Sequence, residues 1–218
     1  MKLTDLMPDI YQLIPCGYEI LQNDSYDKML ADEVSSASKN KTPVLYQVSG
    51  VPGAGKSAFC KHFLKQNPNF AYVSFDKIME SMPEYQQDVR QKGSALAFAL
   101  WEKPARVIGY ELLKRLLDQG ANVLLEHSGV NSSHLQLHKN VKKYGYQTKV
   151  TFLMCDTDVA IARAKKREKL TGRHTPDAMI CERASLMQQY AAKYSEITDD
   201  IQFLDASGDK FQPMEFKY

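Results

Sequence analysis

Gly50-Val51-Pro52-Gly53-Ala54-Gly55-Lys56-Ser57 is a full match to G-x-x-x-x-G-K-[ST], and residues of these types at this spacing hold the phosphates of a nucleoside triphosphate. Gly50, Gly53 and Gly55 have no Cβ, so the backbone can curl and aim its N–H groups inward. A helix N-terminus directly behind the loop adds partial positive charge beneath the anion. Lys56 can reach the β- and γ-phosphates as a point charge, and the Ser57 hydroxyl can ligate Mg²⁺. The expected nucleotide contacts therefore run from Gly50 to Ser57, with Ser57 as the metal ligand. The motif does not say what receives the phosphate.

A second set of residues has the chemistry to complete a phosphoryl transfer. Asp76 is the candidate general base, because transfer to a hydroxyl needs the nucleophile oriented and its proton accepted. Asp is also a favoured helix cap, and the two roles are compatible. Glu126 can bind substrate hydroxyls, or hold Mg²⁺ through a water as a Walker-B acid does. Ser128 is a weaker substrate-side candidate, since small polar residues are common after strands. Arg167 and Arg173 are the candidates for stabilising charge on the transferred phosphoryl oxygens, where a planar fork of donors is wanted. Lys165, Lys166 and Lys169 in the same basic run read as a solvated helix face. His127, His134, His138 and His174 do not form a metal set. His134 and His138 are four residues apart without H-E-x-x-H or a third ligand, and read as surface or packing residues.

These residues need elements that bring them to one place. An apolar β-branched run at 44–48 predicts a strand, and Phe59, Phe63 and Leu64 after the loop lie on one face of a helix. Further strands are expected at 70–75, 122–126, 148–154 and 201–204. Helices are expected at 104–119, 134–144, 158–170 and 177–194, with 81–93 polar and irregular and 171–176 a loop. Strands alternating with helices imply a parallel sheet covered on both faces, a P-loop kinase-like α/β three-layer sandwich with five strands, mainly parallel. Right-handed crossovers then put every strand's C-terminal end on one edge, where ligands bind. The P-loop, Asp76, Glu126, Ser128 and the arginine-bearing helix all follow strands, so they are expected to converge there.

Ahead of the first strand, Leu3, Leu6, Ile10, Leu13 and Ile14 recur at helical spacing around Pro8, and 24–37 reads as a second helix. The expected organisation is a helical segment, 1–40, packed on the flank of one P-loop kinase domain, 41–218, with a lid at about 163–176 in which Gly172 precedes Arg173. At 218 residues, one core is the default. A net charge of +2 supplies no global basic field, which argues against nucleic acid as a partner. Cys16, Cys60, Cys155 and Cys181 make no C-x-x-C pair, and Cys60 and Cys155 sit in apolar patterns, so reduced, buried thiols are expected. The start MKLTDLMPDIYQL is a poor signal peptide, and no apolar run approaches a membrane span. A cytoplasmic setting is expected, or delivery into another cell as an effector without a cleaved signal.

From 43 to 176 the chain resembles the zeta toxin family of P-loop kinases: GVPGAGKS, VSFDKIM, LLDQGANVLLEHSG, KKYGYQTKVTFLMC, AKKRE and GRHTP carry the likeness. The resemblance implies an ATP- and Mg²⁺-dependent kinase, with UDP-N-acetylglucosamine as the best-known acceptor, and an antitoxin as protein partner. By position it makes Lys56 and Ser57 the phosphate-loop residues, Asp76 the catalytic aspartate, Glu126 a substrate-binding glutamate, and Arg167 and Arg173 the phosphate-binding arginines. Two positions depart from the family pattern. Where the family reads E-G-T-G-R this chain has Glu126-His127-Ser128-Gly129-Val130, and a family acid on the preceding helix falls at Tyr110, with Glu111 one residue on as the substitute candidate. Both departures subtract charge, so a less polar or differently shaped alcohol is expected as acceptor. A nucleoside or polynucleotide kinase is the nearest alternative. A GTPase-like switch lacks N-K-x-D, and its D-x-x-G, Asp205 to Gly208, stands at the wrong end of the chain. A nucleotide-binding partner protein with little catalysis is the alternative of another class.

Overall fold

A computed structural model describes residues 2–10 and 24–216. Its centre is a sheet in the order β2-β3-β1-β4-β5-β6. The strands are β1 (Val44–Gly50), β2 (Phe70–Ser74), β3 (Asn122–Glu126), β4 (Gln147–Met154), β5 (Asp200–Asp205) and β6 (Gln212–Pro213). The first five are parallel; β6 runs antiparallel to β5. The sheet thus has six strands where five were expected. A two-residue strand carries no periodicity to read, and Pro213 is tolerated because it lies at the sheet's edge.

Register brings the functional ends level. Val48 pairs with Glu126, Ser74 pairs with Glu126 from the other side, and Gly50 pairs with Leu153. The phosphate loop, the start of the segment holding Asp76, and Glu126 therefore leave the sheet along one edge.

The helices are α1 (Leu3–Leu6), α2 (Asp24–Ser36), α3 (Lys56–Gln66), α4 (Phe75–Ser81), α5 (Pro83–Lys92), α6 (Ser94–Gln119), α7 (Ser132–Val141), α8 (Thr157–Thr171) and α9 (Asp177–Ser195). One apolar cluster gathers around α6 and includes Leu6, Leu30, Val73, Met79, Ile108, Leu113 and Leu125. The other joins Tyr46, Val48, Cys60, Phe152, Ala160, Ile180 and Tyr194. Leu6, Met7 and Ile10 are fully buried, and Tyr26 in α2 donates a 2.6 Å hydrogen bond to Glu84 in α5, so both described parts of the N-terminal segment pack on the domain. Leu13, Ile14 and Cys16 lie outside the described residues. Cys60 is buried as expected, whereas Cys155 is only half-buried.

Two expectations fail between 81 and 103, and both matter for the site. The stretch read as irregular is α5: Pro83 opens it at the first turn, where a missing N–H costs nothing, and Gly93 ends it with φ 85°. The long helix α6 starts ten residues before Pro104, which sits inside it. Pro104 removes one helix bond, at a cost of about 3 kcal/mol. Burying Phe98, Val107, Ile108 and Leu112 along the same helix contributes roughly 1.5–3 kcal/mol each, so packing outweighs the break. Trp101 Nε1 donates a 2.9 Å bond to Asp88 Oδ2, tying this first half of α6 to α5. Gly109 lets α6 come close to the segment that holds Asp76: a Cβ there would stand 2.1 Å from the Phe75 ring.

Candidate active site

The phosphate loop curls as its glycines require. Gly53 has φ +91°, and a Cβ on it would stand 2.1 Å from the Ala160 carbonyl oxygen of α8. Any side chain would both strain the turn and push α8 away. Lys56 folds back over the loop and donates to the carbonyls of Gly50 (2.9 Å) and Val51 (3.0 Å). Burial works against its charge and lowers its pKa, opposed by Glu126 and Asp76.

Ser57 Oγ donates a 2.7 Å bond to Glu126 Oε1, and Tyr72 donates to the other oxygen of the same carboxylate. Glu126 is 6% exposed, so both of its oxygens are held in place beside the loop. A hydroxyl and a carboxylate side by side are hard oxygen donors of the kind that Mg²⁺ takes.

Asp76 is in the first turn of α4, immediately after β2, with Ser74 as N-cap. Arg173, from the loop 172–176, places Nη1 at 3.6 Å from Asp76 Oδ2 and 3.0 Å from Glu80 Oε1. Burial by itself pushes the Asp76 carboxyl up, but Arg173, Lys56, Arg167 and Arg183 together hold it below the usual carboxylate range. Arg167 Nη2 donates a 2.7 Å bond to Thr175 Oγ1, which folds the loop against α8. Arg163 is anchored separately, on the carbonyls of Ala206, Ser207 and Gly208.

Two cavities meet at these residues. One is lined by Gly53, Gly55, Ser57, Arg163, Arg167 and Arg173. The other is lined by Phe75, Phe98, Glu102, Arg106, Ser128 and Arg183, with His127, Met79, Thr175 and Met179. Pro52, Lys56, Asp76 and Glu126 line both. In the first cavity Nε of Arg167 and Nε of Arg173 are buried with no hydrogen-bond partner among the described residues. Buried donors without partners are rare, and two from guanidinium groups beside a phosphate loop fit an anion with several acceptor oxygens.

Behind the second cavity lies a polar network inside the sheet. Gln47 on β1 accepts from His134 Nδ1 at 2.9 Å and, at 3.4 Å, from His138 Nε2. Its amide nitrogen donates to Ser49 Oγ and to the Tyr194 hydroxyl. Tyr110 donates to His134 Nε2 at 3.0 Å, and Tyr194 donates to the Gly129 carbonyl at 3.1 Å. Burial holds the His134 and His138 pKa values down at about 3. His127 stacks on His134 with ring centroids 3.8 Å apart, and Gly129 N–H donates to its Nδ1, so its ring proton is on Nε2. Burial and the neighbouring His134 keep His127 neutral as well. His134 and His138 are therefore packing residues that brace the turn after β3. Among the described residues no group of three or more His, Cys, Asp or Glu side chains could hold a metal ion.

The structure brings together Lys56, Ser57, Asp76, Glu126, Ser128, Arg167 and Arg173. It does not bring Glu111. The helical register of α6 turns Tyr110 inward to His134, so Glu111 faces outward and pairs with Arg115 at 2.8 Å, which in turn pairs with Asp27. Glu111 lines neither cavity. Val130 is buried in the core. The cavity nevertheless keeps charged groups in its lining. Glu102 and Arg106, one turn apart on the first half of α6, and Arg183 on α9 line it instead. The sequence reading missed all three. Phe98, Glu102 and Arg106 at i, i+4 and i+8 are one helix face, but Pro104 hid the part of the helix that carries Phe98 and Glu102. Arg183 follows Met179 by four residues on an otherwise apolar stripe, a signal available in the sequence.

Among the described residues no helix is long and apolar enough to cross a membrane. No curated protein matches the chain in sequence. The chain is similar in fold to the solved PezAT chromosomal toxin-antitoxin system of Streptococcus pneumoniae, with a TM-score of 0.68 at 15% identity, over 97% of this chain and 83% of that one. It is also similar to the AvrRxo1-ORF1:-ORF2 complex, with a TM-score of 0.65 at 11% identity over 88% and 69% of the two chains. The same complex with ATP gives 0.63 at 12% identity over 95% and 67%. The Zeta toxin family model matches residues 27–210, and on that match the chain belongs to the zeta toxin family and is an ATP-dependent P-loop kinase.

Proposed function

We propose that the protein moves the γ-phosphoryl group of ATP to a hydroxyl of a small molecule, across the junction of the two cavities. The observation that carries this reading is the sharing of Lys56, Asp76 and Glu126 between a cavity built for phosphate and a cavity built for something else. A group bound in one is handed to a group bound in the other at those three side chains.

Gly50, Val51, Pro52, Gly53, Ala54 and Gly55 cradle the phosphates, and Lys56 leaves its carbonyl contacts to bind them. Ser57 and Glu126 are the residues that would hold Mg²⁺, which would supply positive charge to neutralise the phosphates. Asp76 orients the acceptor hydroxyl. The acceptor oxygen forms its bond to the γ-phosphorus as the bond to the β,γ-bridging oxygen breaks, and the hydroxyl proton passes to the Asp76 carboxylate. A carboxylate held at low pKa is a weak base but a permanently ionised one. That suits a loose transition state, in which the proton leaves late and orientation matters more than basicity. Arg167 and Arg173, with their unpartnered Nε groups, receive the charge on the transferred oxygens. The segment 163–176 acts as the lid, with Arg173 linking it to Asp76.

UDP-N-acetylglucosamine, which the family likeness suggests, would find the family's charged residues missing at Tyr110 and Val130, both buried and neither lining the cavities, and we expect a differently shaped alcohol to be the better acceptor. The likeness to a toxin-antitoxin system and to a two-protein complex supports a protein inhibitor as partner. The test is ATP consumption with a panel of alcohols that includes UDP-N-acetylglucosamine, for the wild type and Lys56→Ala. Acceptor-dependent consumption that disappears in a folded Lys56→Ala protein is expected; near-normal consumption by that variant contradicts the reading.

A further inference from the structure

The second cavity carries a charge arrangement that phosphate transfer itself does not use. Arg183, in the second turn of α9, lines this cavity and not the phosphate cavity. It is half-buried, and among the described residues its guanidinium has no hydrogen bond and no ion pair. The charged groups that act on it include Arg106 and Glu102 from α6, Asp76 from α4, its own neighbour Glu182 and, on the same cavity wall, Lys56. Glu102 is already bonded to Arg106. Asp76 is paired with Arg173. Two guanidinium groups thus face one cavity, and the carboxylate between them is committed to one of the two.

The third polar group on the same wall is His127. Its Nδ1 accepts from Gly129 N–H, which leaves Nε2–H as a donor with no partner among the described residues. Of the remaining lining, Phe75, Phe98, Met79 and Met179 are apolar, Ser128 and Thr175 are neutral, and the Glu126 carboxylate is taken by Ser57 and Tyr72, so no free carboxylate is left to pair with Arg183. A half-buried guanidinium with no direct ion pair or hydrogen bond is costly unless its function supplies a partner.

We infer that the acceptor alcohol carries an oxyanion, phosphate or carboxylate, which seats against Arg183 with Arg106 and the His127 Nε2–H beside it. This rests on the phosphotransferase reading and adds the chemical class of the acceptor to it. The anion anchors the molecule on the α6–α9 side while its hydroxyl points to Asp76. Arg183 is then a specificity residue, and its fork of donors can take two oxygens of one anion at once.

The experiment compares alcohols in charged and uncharged pairs: a sugar phosphate with its parent sugar, a nucleoside monophosphate with its nucleoside, and a hydroxy acid with its amide. The expected result is a preference for the anionic member, by about tenfold or more in kcat/KM. The phosphate pairs and the carboxylate pair identify which oxyanion is meant. Arg183→Met keeps the apolar stem and should lose the preference mainly through KM, while Arg183→Lys should keep part of it. Equal kcat/KM for both members of every pair, or an undiminished preference in Arg183→Met, overturns the inference while leaving the kinase reading in place. If no alcohol is phosphorylated, the kinase reading fails separately. Binding then decides the inference: inorganic pyrophosphate is titrated into wild type and Arg183→Met, each saturated with a non-hydrolysable ATP analogue. Weaker binding by the variant supports an anion site, and equal or absent binding overturns it.

Discussion

Arg173 Nη1 stands 3.6 Å from Asp76 Oδ2, so the loop behind α8 and the acid at the start of α4 form one charge pair across the mouth of the site. Arg173 is the largest of the charges that hold the Asp76 carboxyl low. Removing it, as in Arg173→Gln, should let burial raise the Asp76 pKa. The acid limb of kcat/KM, which reports loss of activity as Asp76 takes a proton, should then move to higher pH. A pH profile on wild type and variant checks this, and an unmoved acid limb would separate the two residues.

Lysine in place of Arg167 or Arg173 keeps the charge but not the fork. Each change should lower kcat by about tenfold or more, with a smaller effect on ATP affinity, because the fork is needed where charge develops. Steady-state kinetics with direct nucleotide titration would distinguish this from a plain loss of ATP binding. An unchanged kcat in both variants would return these arginines to a structural role.

Gly109→Ala tests how Asp76 is positioned. Alanine gains about 1 kcal/mol of helix propensity over glycine. Here its Cβ would stand 2.1 Å from the Phe75 ring, and overpacking of that kind costs about 1–3 kcal/mol. A net loss of stability is expected, together with a fall in kcat, since Phe75 precedes Asp76 in the chain. A higher melting temperature with unchanged kcat would show that the ring moves aside freely.

What could be read in the sequence was what is local. The phosphate loop, the strand ending at Glu126 and the placement of Asp76 after β2 each lie within one strand–turn segment, where periodicity and turn chemistry decide the structure. The shared edge followed from parallel topology alone. Glu102 was hidden because Pro104 reads as a helix start, and without it Arg106, inside the expected helix, had no partner to mark its face; packing of Phe98 and Trp101 against neighbouring elements extends α6 past Pro104. Glu111 was misplaced by one residue, which on a helix is about 100° of rotation. Arg183 stands out on an otherwise apolar stripe, but which cavity it lines is set by the long-range packing of α9. The buried Gln47–His134–His138 network was equally invisible, since it joins β1 to α7 across more than eighty residues of chain.

That network should make the protein sensitive to mild acid. His134 and His138 are held at about 3 in the fold, against about 6.5 in the unfolded chain. Between these values the unfolded state binds more protons, so stability rises with pH and is lost as pH falls from 6.5 towards 3. The slope should approach about 1.4 kcal/mol per pH unit for each histidine. Urea unfolding at a series of pH values measures it, and His134→Gln should make the dependence shallower. A stability independent of pH between 6.5 and 4.5 would mean that these histidines are not buried as described.

The measurement closest to the central claim follows the phosphoryl group itself. γ-Labelled ATP is supplied with a metabolite extract to wild type and to Asp76→Asn, and the label is traced into products while ATP affinity is measured in parallel. Asparagine keeps the shape of Asp76 but cannot accept the hydroxyl proton. Transfer across the two cavities requires label in an organic alcohol with the wild type, and at least about a hundredfold slower labelling with Asp76→Asn at unchanged ATP affinity. Label recovered only as inorganic phosphate, or equal labelling by the two proteins, would contradict it.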